Sequence, residues 1–221
     1  PRLERIPGLV HGFGTRDFGL ADLRRLAARR RAAVVLLDQI HSDIVRVVEK
    51  APAGRLEGDA LASGTRGLIL AVKTADCLPV LIADGKGRAV AAVHAGWRGT
   101  ALGVAGRAVL ELGRRFGLNP AGFVAALGPS VGATCYEVGD DVRRRFAEEG
   151  FGEEFFRPRR GRPRKYLFDL AAANADQVAA AGVPRSRIFS VGRCTHCDPN
   201  FHSYRRDGDS RRRLYNFIGL V

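Results

Sequence analysis

Cys77 and His94 are the residues whose types and spacing most directly imply chemistry. They flank an apolar stretch that reads as a hairpin: residues 78–83 run in, Asp84-Gly85-Lys86-Gly87 turns, and residues 88–93 run out. Gly85 and Gly87 supply the backbone freedom of a tight turn. With Asp84 facing Gly87, Cys77 faces His94 across the open end of the hairpin. Facing side chains have Cβ atoms about 4.5–5.5 Å apart. A thiolate and an imidazole so placed could share one metal ion at about 2.0–2.3 Å from each. A Cys77 nucleophile with His94 as its base is the other chemistry the pair allows. A one-residue slip in register would send the two side chains to opposite faces.

Three further stretches carry reactive types. The loop His94-Ala95-Gly96-Trp97-Arg98-Gly99 joins a strand end to a helix expected over 101–116, with Thr100 as its N-cap and Gly117 as its stop. Free N–H groups at such a junction, with the Arg98 fork, suit phosphate. Neither GxxxxGK[ST] nor a GxGxxG after a strand is present. Cys194-Thr195-His196-Cys197 is a single CxxC, a redox pair or half a zinc site. Asp198 stands where c-type haem attachment needs His, and the HxE…PCxxC signature of zinc deaminases is missing. His41 lies between short strands expected at 34–37 and 44–48 and, read alone, is an ordinary structural histidine. Arg16 sits in the glycine-rich segment 7–19.

The elements needed to position these residues alternate along the chain. Helical spacing marks residues 20–31, 140–149 and 170–181, the last capped by Asp169, and strands are expected at 123–127, 188–191 and the C-terminal end. The implied fold is α/β (α+β), one domain over residues 1–221 with mixed β-sheets flanked by helices. The apolar runs are too short for a transmembrane helix, and PRLERIPGLVHGF has no signal-peptide core, so a cytoplasmic protein without a membrane partner is expected. Four cysteines in 221 residues are too few for a disulfide scaffold and suit ligands or nucleophiles. The net charge of +13 favours anionic partners. Only four of the 36 basic residues are lysine, so a general arginine bias is the alternative explanation of that charge. Arg160-Gly161-Arg162-Pro163 echoes the core of a minor-groove AT-hook, but one copy in so arginine-rich a chain does not make nucleic acid an expected partner.

QIH (39–41), TADCLPVLI (74–82), VHAGWRGT (93–100), GPSVGATCYEVG (128–139) and CTHC…FHSYRRDG (194–208) together resemble the YfiH-like laccase-domain family. That family was once described as polyphenol oxidase and is now regarded as purine nucleoside phosphorylase with adenosine deaminase activity. The resemblance implies a His–Cys–His metal set, zinc in most accounts, formed here by His41, Cys77 and His94. Three protein ligands leave a tetrahedral position open, the pattern of a catalytic zinc. The implied partners are a purine nucleoside (adenosine, inosine or methylthioadenosine) and phosphate. Arg98, the helix start near Thr100 and Arg16, which matches the family's TR arginine, are the expected phosphate-binding groups. Zinc would act as Lewis acid or lower the pKa of water towards about 7. This chain departs from the family at HGFGTRDFG, where a longer Gly-, Ser- and Asn-rich stretch is usual. A copper-dependent, laccase-like polyphenol oxidase is the alternative, weakened by a count of five histidines and no methionine for an axial ligand. A non-enzymatic basic nucleic-acid-binding protein is the reading from another class.

Overall fold

The computed structural model describes residues 3–221. In chain order, β1 (Leu9–Gly12), α1 (Leu20–Arg29), β2 (Ala33–Leu36), β3 (Val45–Val47), β4 (Ala60–Ser63) and β5 (Leu68–Thr74) come first. The hairpin strands β6 (Leu78–Asp84) and β7 (Val90–Ala95) follow, then α2 (Trp97–Ala101), α3 (Val104–Phe116) and β8 (Phe123–Leu127). Next are β9 (Glu137–Gly139), α4 (Asp140–Glu148), β10 (Phe156–Pro158), β11 (Lys165–Phe168) and α5 (Leu170–Ala180). The chain closes with β12 (Ile188–Ser190), α6 (Tyr204–Asp207) and β13 (Leu214–Leu220).

Two mixed sheets stack face to face. One runs β1-β13-β5-β2 and the other β12-β8-β6-β7-β4-β3. Alternation along β6 and β7 explains why both read as continuous apolar runs. Leu78, Val80, Ile82, Ala91, Val93 and Ala95 face α3 and α5, whereas Leu81, Ala83, Val90 and Ala92 face the other sheet. There they meet Leu68, Leu70 and Val72 of β5 and Ile218 and Leu220 of β13. The outer face of the smaller sheet is covered by Leu23 and Ala27 of α1. A three-stranded sheet, β10-β11-β9, packs with α4 through Phe146, Phe156 and Phe168. No described helix is long and apolar enough to cross a membrane.

Two local expectations are corrected. The hairpin pairs Pro79 with His94 and Leu78 with Ala95, two residues away from the register expected. The cause is Asp84, which pairs with Ala89 and widens the connection to Gly85-Lys86-Gly87-Arg88. Its carboxylate gathers the N–H groups of Lys86 and Arg88 and the Arg88 guanidinium. A two-residue shift keeps every side chain on its face. Thr100 is not an N-cap: the helix is broken at Gly103 (φ +82°), and the N-cap of its first part, α2, is Gly96. Thr100 lies fully buried inside α2, bonded to Gly96 O, Asn174 and Gln177, and offers nothing to an anion.

Candidate metal centre

The two sheets leave a cleft at the end where β5 stops and β6 begins. Its walls include Gln39, His41, Lys73, Cys77, His94, Tyr204 and Arg213, and its volume is about 410 Å³. Strand alternation aims His94 into it, on the face of β7 that also carries Ala92 and Val90. Asp59, one residue before β4, sits opposite His94 and is fully buried. Its Oδ1 accepts from His94 Nδ1 at 2.8 Å, which turns Nε2 towards the cleft. The same carboxylate accepts from the backbone N–H groups of Ile40 (3.3 Å), His41 (3.0 Å) and Ser42 (2.6 Å), and from Ser42 Oγ at 2.7 Å. One buried carboxylate therefore orients one histidine directly and folds the loop that carries the other. His41 adopts φ +61°, a costly conformation for a non-glycine residue that these bonds enforce. Gln39 ties the loop to β5 by a two-way amide bridge to Lys73 N and O, each 2.8 Å.

Cys77 is presented differently. It lies in the bend between β5 and β6, after Asp76 at φ +84°. The Asp76 carboxylate accepts from Thr195 Oγ1 at 2.6 Å and Arg205 N at 2.7 Å, and its carbonyl from Val131 N at 3.0 Å. The TADC and CTHC…HSYRRDG motifs are thus one structural unit. Arg206 holds the second of them by donating to the carbonyls of Thr195, His196, Asp198 and Phe201.

The donor atoms of His41, Cys77 and His94 lie within 4.8 Å of one another, and the two imidazoles meet edge to face with centroids 4.9 Å apart. Burial pushes the Cys77 thiol up, but the charge of His94 and hydrogen bonds from both histidines outweigh it and bring the thiol down to about 6. Burial pushes His94 down, but Cys77 and Asp59 outweigh it and lift the imidazole to about 9. Metal binding would displace the proton that such a thiol–imidazole pair shares. The third donor also separates a metal set from a nucleophile–base pair, which needs no second imidazole. Gly96 lines the same space: a Cβ there would stand 2.9 Å from His41 Cδ2 and 3.0 Å from Cys77 Sγ. Soft and borderline donors around a volume kept clear by glycine fit zinc. Because Gly96 has φ −78°, alanine is conformationally allowed. Gly96→Ala is expected to fold with a stability loss within about 1–3 kcal/mol yet to weaken metal binding at least about tenfold, as read by chelator competition.

The two arginines expected near phosphate stand elsewhere. Arg98 is exposed and stacks over the Trp97 indole at 4.4 Å. Arg16 pairs with Asp207 at 3.8 Å, and its N–H donates to Asn200 O. Neither lines the cleft, whose cationic side chains are Lys73 and Arg213. Sequence reasoning gave no role to Asp59, Asp76, Lys73 or Arg213.

Residues 20–221 match the family model described as multi-copper polyphenol oxidoreductase laccase. A purine nucleoside phosphorylase of Deinococcus radiodurans is 40% identical, over 99% of this chain and 92% of that protein. Adenosine deaminase RL5, from an unknown prokaryotic organism, is 36% identical, over 84% of this chain and 74% of that protein. The crystal structure of a hypothetical protein YfiH from Bacillus licheniformis superposes with a TM-score of 0.87 at 29% identity, covering 96% of this chain and 93% of that one. Motifs, fold and coverage agree, and the chain belongs to the YfiH-type laccase-domain family.

Proposed function

We propose that the chain is a zinc-dependent purine nucleoside phosphorylase that also deaminates adenosine. The observation that carries this reading is the convergence of His41, Cys77 and His94 in a cleft whose other walls hold two cations. The names of the relatives at 40% and 36% identity point the same way. His41, Cys77 and His94 would hold the metal, which when bound supplies a Lewis acid.

The chain's own side chains do the rest. Lys73 and Arg213 counter the charge of phosphate in the cleft. This moves the phosphate role from Arg98 and Arg16 to residues that face the cleft. Tyr204, at the mouth, offers an aromatic face to a purine. In phosphorolysis a phosphate oxygen bonds to the anomeric carbon as the glycosidic bond breaks, and the purine leaves with the electron pair. Arg16 acts at one remove, through Asp207 and the segment that carries Tyr204.

A copper-dependent polyphenol oxidase is the second reading, favoured by the description of the matching family. Metal reconstitution separates them. Chelator-stripped protein given zinc is expected to regain adenosine turnover and to leave diphenols untouched. Diphenol oxidation restored by copper, with adenosine unchanged under zinc, would replace the proposal.

A further inference from the structure

Beyond the cleft, a second group of metal-binding side chains comes together from two distant stretches of chain. Cys135, His196 and Cys197 have donor atoms within 4.8 Å of one another. Cys135 Sγ lies 3.3 Å from Cys197 Sγ. Cys194 shares the turn with Cys197, but its sulfur lies outside the group that meets the 4.8 Å limit. None of the four touches the cleft.

The backbone is built to hold this group. Thr195 N donates to Ser130 O at 2.9 Å and Ser130 N to Arg193 O at 3.3 Å, zipping the GPSVGATC loop to the CTHC turn. Gly132 N donates to Cys194 Sγ at 3.1 Å, and the N–H groups of His196 and Cys197 face that sulfur. A Cβ at Gly132 would stand 3.2 Å from the Cys194 Sγ, so glycine lets the loop close on the turn. These bonds to sulfur fix the turn that carries His196 and Cys197. Distances favour a metal over a disulfide. Two sulfurs on one tetrahedral zinc stand about 3.8 Å apart, whereas a disulfide demands about 2.0 Å. A disulfide would also leave His196 without a part in the cluster.

We propose that Cys135, His196 and Cys197 form a second metal site that binds a soft divalent ion of the zinc class. Its place outside the cleft makes it a structural site. Its work is mechanical. The two loops it would join are those whose Val131 and Thr195 bond to Asp76, the residue before Cys77. The ion would clamp the support of the catalytic thiolate without touching substrate. The proposal does not depend on the nucleoside chemistry proposed above.

Metal content per chain, measured after purification without chelator, tests it. Wild type is expected to carry two equivalents, Cys77→Ala one, Cys197→Ser one, and the double variant none. Wild type with a single equivalent that Cys197→Ser retains would overturn the proposal. Alkylation followed by mass spectrometry gives a reading that needs no variant. In zinc-loaded protein the exposed Cys197 is expected to react at least about tenfold more slowly than after chelation. Equal rates, or a Cys135–Cys197 disulfide in the zinc-loaded protein, would contradict it.

Discussion

Cys77→Ala is expected to remove the cleft metal and to lower phosphate-dependent nucleoside cleavage at least about 100-fold, since losing a ligand costs more than losing a ligand's support. Cys77 supplies the only sulfur among the three donors. Without it two imidazoles remain, one of them held by the strained His41 loop. Cys77→Ser keeps the size of the side chain, but its hydroxyl does not ionise near neutrality, so it is expected to rescue little. The global fold should survive either change, because Cys77 lies in a bend outside the strands that carry the core. Metal content and thermal unfolding, taken together with turnover, check this. Full metal and full activity in Cys77→Ala would remove the cysteine from the centre.

Asp59→Ala is expected to be the most destabilising single change at the site. It strands the N–H groups of His41 and Ser42 and leaves His94 Nδ1 without a partner in a dry interior. Removing one member of a buried, hydrogen-bonded charge pair costs about 3–5 kcal/mol. Metal affinity should fall about 10–100-fold as His94 loses its fixed tautomer and the His41 loop loosens. Asp59→Asn keeps the shape and one acceptor oxygen, so it should recover part of the stability and little of the affinity. Denaturant unfolding and chelator competition read the two effects separately. A variant with unchanged metal affinity would mean that His94 is oriented by something else.

The pairing of Cys77 with His94 was legible because side-chain alternation tolerates an error of two residues, though not of one. The turn itself was misjudged, since the reach of the Asp84 carboxylate over Lys86 and Arg88 is not visible in the two glycines. Helix α3 and its stop at Gly117 follow from local spacing and a left-handed cap. Thr100 misled because its hydroxyl bonds within α2 and to α5, a tertiary contact that no local pattern encodes. Asp59 was overlooked for the reverse reason: Gly-Asp before a strand looks like turn chemistry, yet here the carboxylate is fully buried. Cys135 and Cys197 lie 62 residues apart, and the parallel pairing of β8 with β12, continued by the Ser130–Thr195 bond, brings their loops together. His41 joined the metal set through family resemblance alone, because its loop is shaped by Asp59, 18 residues further along the chain.

The most direct measurement is product analysis of adenosine incubated with zinc-loaded wild type and with Cys77→Ala, each with and without phosphate. Wild type is predicted to release adenine and ribose 1-phosphate only when phosphate is present, with inosine from deamination as a separate product, and Cys77→Ala to release almost none. Adenosine left intact by the wild type, or adenine released as fast without phosphate or by Cys77→Ala, would contradict the account.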